Sequence, residues 1–343
     1  MQIEIKRRRR WVERFTLPQV GAFLEKRPGL RAPLGLLIPL IILEVILGVK
    51  NPVFLSIQNQ SNLWRQIAIY MVLGTGMTFV IAGGGIDLSI GSTVALSACI
   101  AGIVMKSFST PLISLLAILI ALSVGILIGM INGIAVTIFR VPPLVTTLGS
   151  MTAVRGFAYL MMGARYRRGF PANFVFLGQG NVGPFPVPFL MGLAIIIIGA
   201  MVLNRGKLGR YILAIGGNRD TAKRAGIHVH RYEFLSYTIM GGLAGWSGIM
   251  LAARLDMVQA ILGTGMELHT IAVVVLGGTY LFGGYATILG TFLGALFLGL
   301  TENGLLIIGV PFYWQRIVVG SLLVAVVGVQ LYRFRRRGVL RQE

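Results

Sequence analysis

Long apolar runs, separated by short polar or glycine-rich breaks, fill this chain from Leu34 to Leu331. A helix needs about 20 such residues to cross a bilayer. Measured that way, the pattern predicts ten spans: Leu34–Val49, Leu63–Ala82, Ile86–Met105, Leu112–Phe139, Val141–Met162, Val187–Leu203, Tyr232–Ala253, Leu268–Phe282, Ala286–Ile308 and Phe312–Leu331. Proline marks several boundaries. Pro33 opens the first span, Asn51-Pro52 ends it, and Pro142-Pro143 starts the fifth, where a missing N–H costs nothing. The fold class expected is an all-α polytopic membrane protein of about ten transmembrane helices.

The polar interruptions are more informative than the runs. Gly83–Ser92, reading GGGIDLSIGS, separates the second span from the third. Three successive glycines loosen a helix, and Asp87 brings a carboxylate to membrane depth, where a charge faces protein or a water-filled cavity. Ser89 and Ser92 offer hydroxyls to freed backbone groups. Asp87 either caps the following helix or faces a path, and the two roles are compatible. Gly125, Gly129 and Gly133 form a one-sided ladder in the fourth span, and Gly241 and Gly245 lie four apart in the seventh. Such spacing lets backbones approach closely. Gly277–Gly290 echoes Gly83–Ser92 in composition, as in duplicated transporter folds.

Composition supports the membrane reading: 55% apolar, 12% charged and a mean hydropathy of +0.81. The net charge of +20 is not read as a nucleic-acid footprint, because the basic residues cluster between apolar runs. Residues 1–31 hold nine Lys or Arg against three Glu, and are read as a cytoplasmic tail on anionic lipid with Trp11, Phe15 and Leu17 at the interface. This tail is too charged for a cleaved signal peptide. Residues 32–332 form the transmembrane domain and 333–343 a second basic tail. Ten spans return both termini to one side, together with the basic 204–231 loop, which holds seven Lys or Arg and one Asp. The positive-inside rule makes that side cytoplasmic. Arg165, Arg167 and Arg168 break the rule, falling outside in the Gly- and Pro-rich 164–187 loop.

Little soluble-type chemistry is encoded. No GxxxxGK[ST] motif occurs, since Gly206-Lys207 is followed by Leu208, so no ATP hydrolysis by a P-loop is expected here. His228, His230 and His269 lack metal-ligand spacing, and His228 and His230 read as solvated. The single cysteine, Cys99, lies in an apolar run and supports neither a disulfide nor a metal cluster. No catalytic residue, metal or cofactor is expected on this chain.

Five segments, in order, resemble the membrane subunits of bacterial ribose-type sugar ABC importers: GMTFVIAGGGIDLSIGS at 76–92, VPPLVTTLGSMTAVRG at 141–156, LGRYILAIGGNRDTAKRAGI at 208–227, ELHTIAVVVLGGTYLFGG at 267–284 and ENGLLIIGVPFYWQRIVVG at 302–320. The resemblance covers about residues 35–330. It implies a type II-like ABC importer permease fold in the bacterial inner membrane, and a second permease copy or a related chain as partner. It also implies cytoplasmic ATPase subunits carrying ATP and Mg2+, and an extracytoplasmic solute-binding protein. Departures from the family pattern are His269, where Asp is common, and Tyr280 and Phe282, where small residues are common.

Three sets of site residues follow. Asp87, Ser89, Glu302, Asn303 and Gln315 are polar groups in or beside apolar runs, suited to a translocation path or to interhelical hydrogen bonds. Arg155 and Arg316 are read as neutralising the acids. Gly209, Arg210, Gly217, Asn218, Arg219, Lys223, Arg224 and Gly226 belong to an ATPase-coupling loop, with Gly217 and Gly226 permitting its turns. Arg165, Arg167 and Arg168 form a docking surface for the binding protein. A monosaccharide is the expected cargo. An amino acid, a nucleoside or a furanone signal on the same architecture is the alternative. An ion-coupled secondary transporter is disfavoured, because Glu44, Asp87 and Glu302 form no relay by spacing.

Overall fold

The computed structural model describes residues 35–107, 112–163 and 165–336. The N-terminal tail with Trp11, Phe15 and Leu17, and residues 337–343, lie outside them. Ten described helices match the ten predicted spans in order: α1 (Leu37–Lys50), α2 (Ile57–Ala82), α3 (Ile90–Ser107), α4 (Ile113–Thr137), α5 (Pro143–Met162), α7 (Val187–Arg205), α10 (Val229–Leu255), α11 (Met266–Leu276), α12 (Ile288–Ile307) and α13 (Phe312–Arg336). Three short helices lie between them: α6 (Ala172–Gln179), α8 (Lys207–Gly217) and α9 (Arg219–Arg224). Six helices, α2, α4, α7, α10, α12 and α13, are long and apolar enough to cross a membrane by length and composition. The chain is an all-α polytopic membrane protein.

Helix α2 is the axis of the molecule. Nearly every residue from Ile67 to Ala82 is buried, and α7, α10 and α12 crowd round that apolar surface. The outer helices instead turn Ile38, Ile41, Val45, Leu115, Leu119, Leu160 and Val324 outward, as a bilayer requires. The glycine ladder does what its spacing predicts. A Cβ on Gly125 would run into the Gly241 carbonyl and Gly245, and one on Gly129 into the Tyr237 carbonyl and Gly241. Helices α4 and α10 therefore touch backbone to backbone, where packing rather than a hydrophobic drive holds helices in lipid.

Two spans lose four or more residues at one end. The third starts at Ile90, not Ile86, because Gly85–Leu88 is not helical. The eighth, expected over Leu268–Phe282, is helical only as α11, whose 11 residues rise about 16 Å. That is half a membrane thickness, and glycines at 277, 278, 283 and 284 unwind the rest. The positional counterpart of the 83–89 break is thus the stretch 256–265, which precedes α11 as 83–89 precedes α3, rather than 277–290. The two breaks meet, since a Cβ on Gly91 would collide with the Gly263 carbonyl. Helices α2 and α10, which lead into them, run antiparallel: Gly85 at the end of α2 abuts Tyr237 near the start of α10.

Successive helices reverse direction. Helices α1 and α12 end together, where Asn51 Nδ2 donates to Ile307 O at 3.4 Å. Helix α13 returns, and Gln330 Nε2 donates to Val275 O and Thr279 O. Both described ends of the chain therefore lie on the side that carries α8 and α9. The opposite side holds the 165–186 segment, which is more ordered than a loop. Helix α6 buries Phe174 and sets Gly178 against the backbone of Ala253 and Arg254. Strand β1 (Arg167–Arg168) pairs antiparallel with β4 (Met257–Val258), and β2 (Asn181–Val182) with β3 (Phe185–Pro186).

Candidate functional site

At the break after α2 the chain turns through Gly84, whose φ of +84° suits glycine alone. Asp87 follows, 1% exposed. Its Oδ1 accepts from the Ser89 backbone N–H at 2.9 Å and from Ser89 Oγ at 2.6 Å. Asn132 of α4 donates to Ser89 Oγ at 2.8 Å, and Ser92 Oγ donates to Ser89 O at 2.7 Å. The carboxylate holds Ser89 just ahead of α3, and Ser89 is in turn tied to Asn132 of α4. Asn132 was not singled out by sequence, although a lone amide between Gly129 and Gly133 in an apolar helix was a usable signal.

Glu302, Asn303 and Gln315 lie toward the opposite end. Glu302 accepts from Gln66 Nε2 at 3.2 Å and pairs with His269 Nδ1 at 3.2 Å. His269 stacks on Tyr70, ring centroids 4.4 Å apart. Asn303 and Asn59 exchange two amide hydrogen bonds of 2.9 Å. Gln315 donates to Val310 O at the start of α13. The five path residues therefore fall into separate groups rather than one ring, and each is hydrogen-bonded. Gln66, Tyr70, His269 and Asn59, which complete the second group, come from α2 and α11 and share no sequence spacing with Glu302. Arg155 does not bond an acid: its Nη1 donates to the Ala260 and Leu262 carbonyls at 2.5 and 2.6 Å. Arg316 packs its guanidinium on Gly265.

The 204–231 segment is a folded unit. Gly206 breaks α7 from α8, and Gly209, Ile212 and Ile215 form the buried face of α8. Asn218 caps α9 by accepting from the Thr221 N–H at 2.8 Å. Arg219 pairs with Glu233 of α10 at 2.8 Å, and Arg210 donates to Arg205 O. Lys223 and Arg224 stay exposed. Gly226 turns the chain with φ +80°, as expected. Gly217 does not carry a turn: it is the last residue of α8, and a Cβ there would meet open space. The demanding position is Gly216, where a Cβ would overlap the Ala82 carbonyl and the Gly284 N–H.

Three glycine clusters that are remote in sequence meet at this point. Gly284 N donates to Ala82 O at 3.0 Å, and both Gly283 and Gly284 are in the positive-φ region. Side chains built on them would strike Gly84, Gly216 and Gly217. The break after α2, the end of α8 and the turn before α12 are thus one backbone-to-backbone joint. Beside it opens a cavity of about 770 Å³, lined among others by Gly83–Gly85, Arg140, Pro143, Asn218, Lys223 and Tyr237. The joint was not legible in the sequence, where each glycine group reads as a local helix break. Arg165, Arg167 and Arg168 are exposed at the opposite end of the molecule, the latter two on β1.

The model of the branched-chain amino acid transport system permease component family matches residues 59–327. The chain is 38% identical over 287 residues to the ribose import permease protein of Escherichia coli strain K12, covering 82% of this chain and 88% of that one. It is 34% identical to an autoinducer 2 import system permease protein of Enterobacter sp. strain 638, over 82% of this chain and 81% of that one. Against the D-allose transport system permease protein of E. coli strain K12 the identity is 33%, over 84% and 89%. No solved structure gives a significant match.

Proposed function

From the premise that this chain belongs to the branched-chain amino acid transport system permease component family, we propose that it is the membrane subunit of a binding-protein-dependent ABC importer for a monosaccharide. ATP is hydrolysed on separate cytoplasmic subunits, a second permease copy or related chain completes the path, and an extracytoplasmic protein delivers the sugar. The chain resides in the bacterial inner membrane with both termini and the 204–231 unit in the cytoplasm, in keeping with its basic clusters. The observation that carries the reading is the glycine joint. An exposed, basic, folded unit is tied through backbone contacts to both broken helices, as a segment must be that converts closure of an ATPase into movement of membrane helices.

In this scheme α8 and α9 sit against the ATPase with Lys223 and Arg224 outward. Asp87, Ser89, Glu302, Asn303 and Gln315 anchor helix ends beside the path. Arg165, Arg167 and Arg168 present positive charge to the binding protein. Isolation of the tagged chain from its native membrane in mild detergent tests the assembly. A co-purifying ATPase with two nucleotide-binding domains, or two copies of one, is expected. Its companion binding protein, screened against sugars, names the cargo. A chain that purifies and transports alone in liposomes overturns the reading. So does a binding protein that prefers amino acids over sugars, as far as the cargo is concerned.

A further inference from the structure

One continuous stretch, residues 256–287, runs from the arginine-bearing strand at one end of the molecule to the glycine joint at the other. It begins at Asp256, in the left-handed region at φ +47°, whose Oδ1 accepts from the Phe170 N–H at 2.8 Å. Strand β4 then pairs with β1, placing Arg167 opposite Val258 and Arg168 opposite Met257. The following loop has irregular backbone within the helix bundle, where polar groups need internal partners. Arg155 of α5 supplies them, donating to the carbonyls of Ala260 and Leu262. Such charge-assisted bonds are short and directional. Past turns at Gly263 and Gly265 the chain enters α11, which is buried from His269 to Val275. It emerges at Gly277, against Gly290, and reaches Gly283 and Gly284 on α8.

We infer that Arg155 is a positioning residue for coupled transport. It clamps the 259–265 loop, so that movement of the β1–β4 ladder is passed to α11 and through it to the Gly216 joint instead of being absorbed by the loop. Helix α11 is then a short rod between the surface that meets the binding protein and the segment that meets the ATPase. This inference rests on the importer reading.

The test uses the assembled transporter in lipid nanodiscs. ATP hydrolysis is measured with and without saturating sugar-loaded binding protein, for wild type, R155K, R155Q and D256G. Asp256→Gly accommodates the left-handed backbone angle and removes the side-chain bond to Phe170. Basal hydrolysis stays near wild type in all three variants. The stimulated-to-basal ratio falls in R155Q and D256G by about 2- to 30-fold, the range of coupling carried by such contacts. R155K is intermediate, since an ammonium lacks the planar fork. Hydrogen exchange over 259–265 rises in R155Q. Full stimulation in R155Q overturns the inference, and so does an equal loss of basal and stimulated hydrolysis, which marks a purely structural role. If R155Q does not assemble, D256G decides: a reduced ratio supports the rod, and an unchanged ratio overturns it. A wild-type transporter that the binding protein does not stimulate overturns the importer reading itself.

Discussion

The glycine joint makes Gly216 the most sensitive position of the coupling segment, and Gly216→Val the sharpest perturbation. The new Cβ overlaps the Ala82 carbonyl and the Gly284 N–H, and both neighbours are backbone, so neither can rotate away. The Gly284-to-Ala82 hydrogen bond, 3.0 Å long, must open or α8 must retreat. Overpacking of this kind costs about 1–3 kcal/mol. At 1.36 kcal/mol per factor of ten, a displacement of that size slows a step that needs the joint by roughly 5- to 150-fold. The assay compares sugar uptake with ATP hydrolysis per assembled complex in proteoliposomes, with thermal melting as the measure of assembly. Uptake falls within that range while hydrolysis persists. Gly217→Ala, with open space at its Cβ, is the internal control and leaves both intact. Normal uptake in G216V refutes the reasoning, as does a G217A variant equally impaired.

Three further outcomes follow from the geometry. Gly241→Ile forces apart α4 and α10 at their closest approach, so the purified chain melts lower or does not assemble, whereas Gly149→Ala, which has free space, melts as wild type. Asn59→Ala and Asn303→Ala remove the same pair of amide bonds, and a double-mutant cycle on thermal stability gives a coupling of about 0.6 kcal/mol, at most about 1.7; strict additivity contradicts the pairing. Reversing the charges of Arg165, Arg167 and Arg168 raises the binding-protein concentration needed for half-maximal uptake, most at low salt. Unchanged uptake at low salt removes these arginines from the docking surface.

The apolar pattern made most of the fold legible, because length and hydropathy alone decide which segments lie in lipid. The α4–α10 contact was legible as well, since glycines at four-residue spacing have few other uses in a membrane helix. Two kinds of feature escaped. The short helices α3 and α11 read as full spans, because the residues that unwind before or after them, such as Ile86 and Leu281, are as apolar as a span. Their loops are satisfied by groups far away in sequence, such as Arg155 on the Ala260 and Leu262 carbonyls. The joint of Gly83–Gly85, Gly216 and Gly283–Gly284 escaped for the same reason. Each glycine has a sufficient local explanation, and only the tertiary fold shows that they share one contact. Asp87 and Glu302 stand out in the sequence as charges in or beside apolar runs, yet the groups that tie them in, Asn132 through Ser89, Gln66 and His269, come from other helices.

The central claim, that this chain moves its cargo by ATP hydrolysed on partner subunits, is tested most directly by the energy source of uptake. Cells expressing the full transporter are given labelled sugar after ATP depletion, and in parallel after a protonophore with ATP maintained. The account predicts that uptake stops on ATP depletion and survives the protonophore. Uptake that collapses with the protonophore but continues without ATP contradicts it, and assigns the chain to ion-coupled transport.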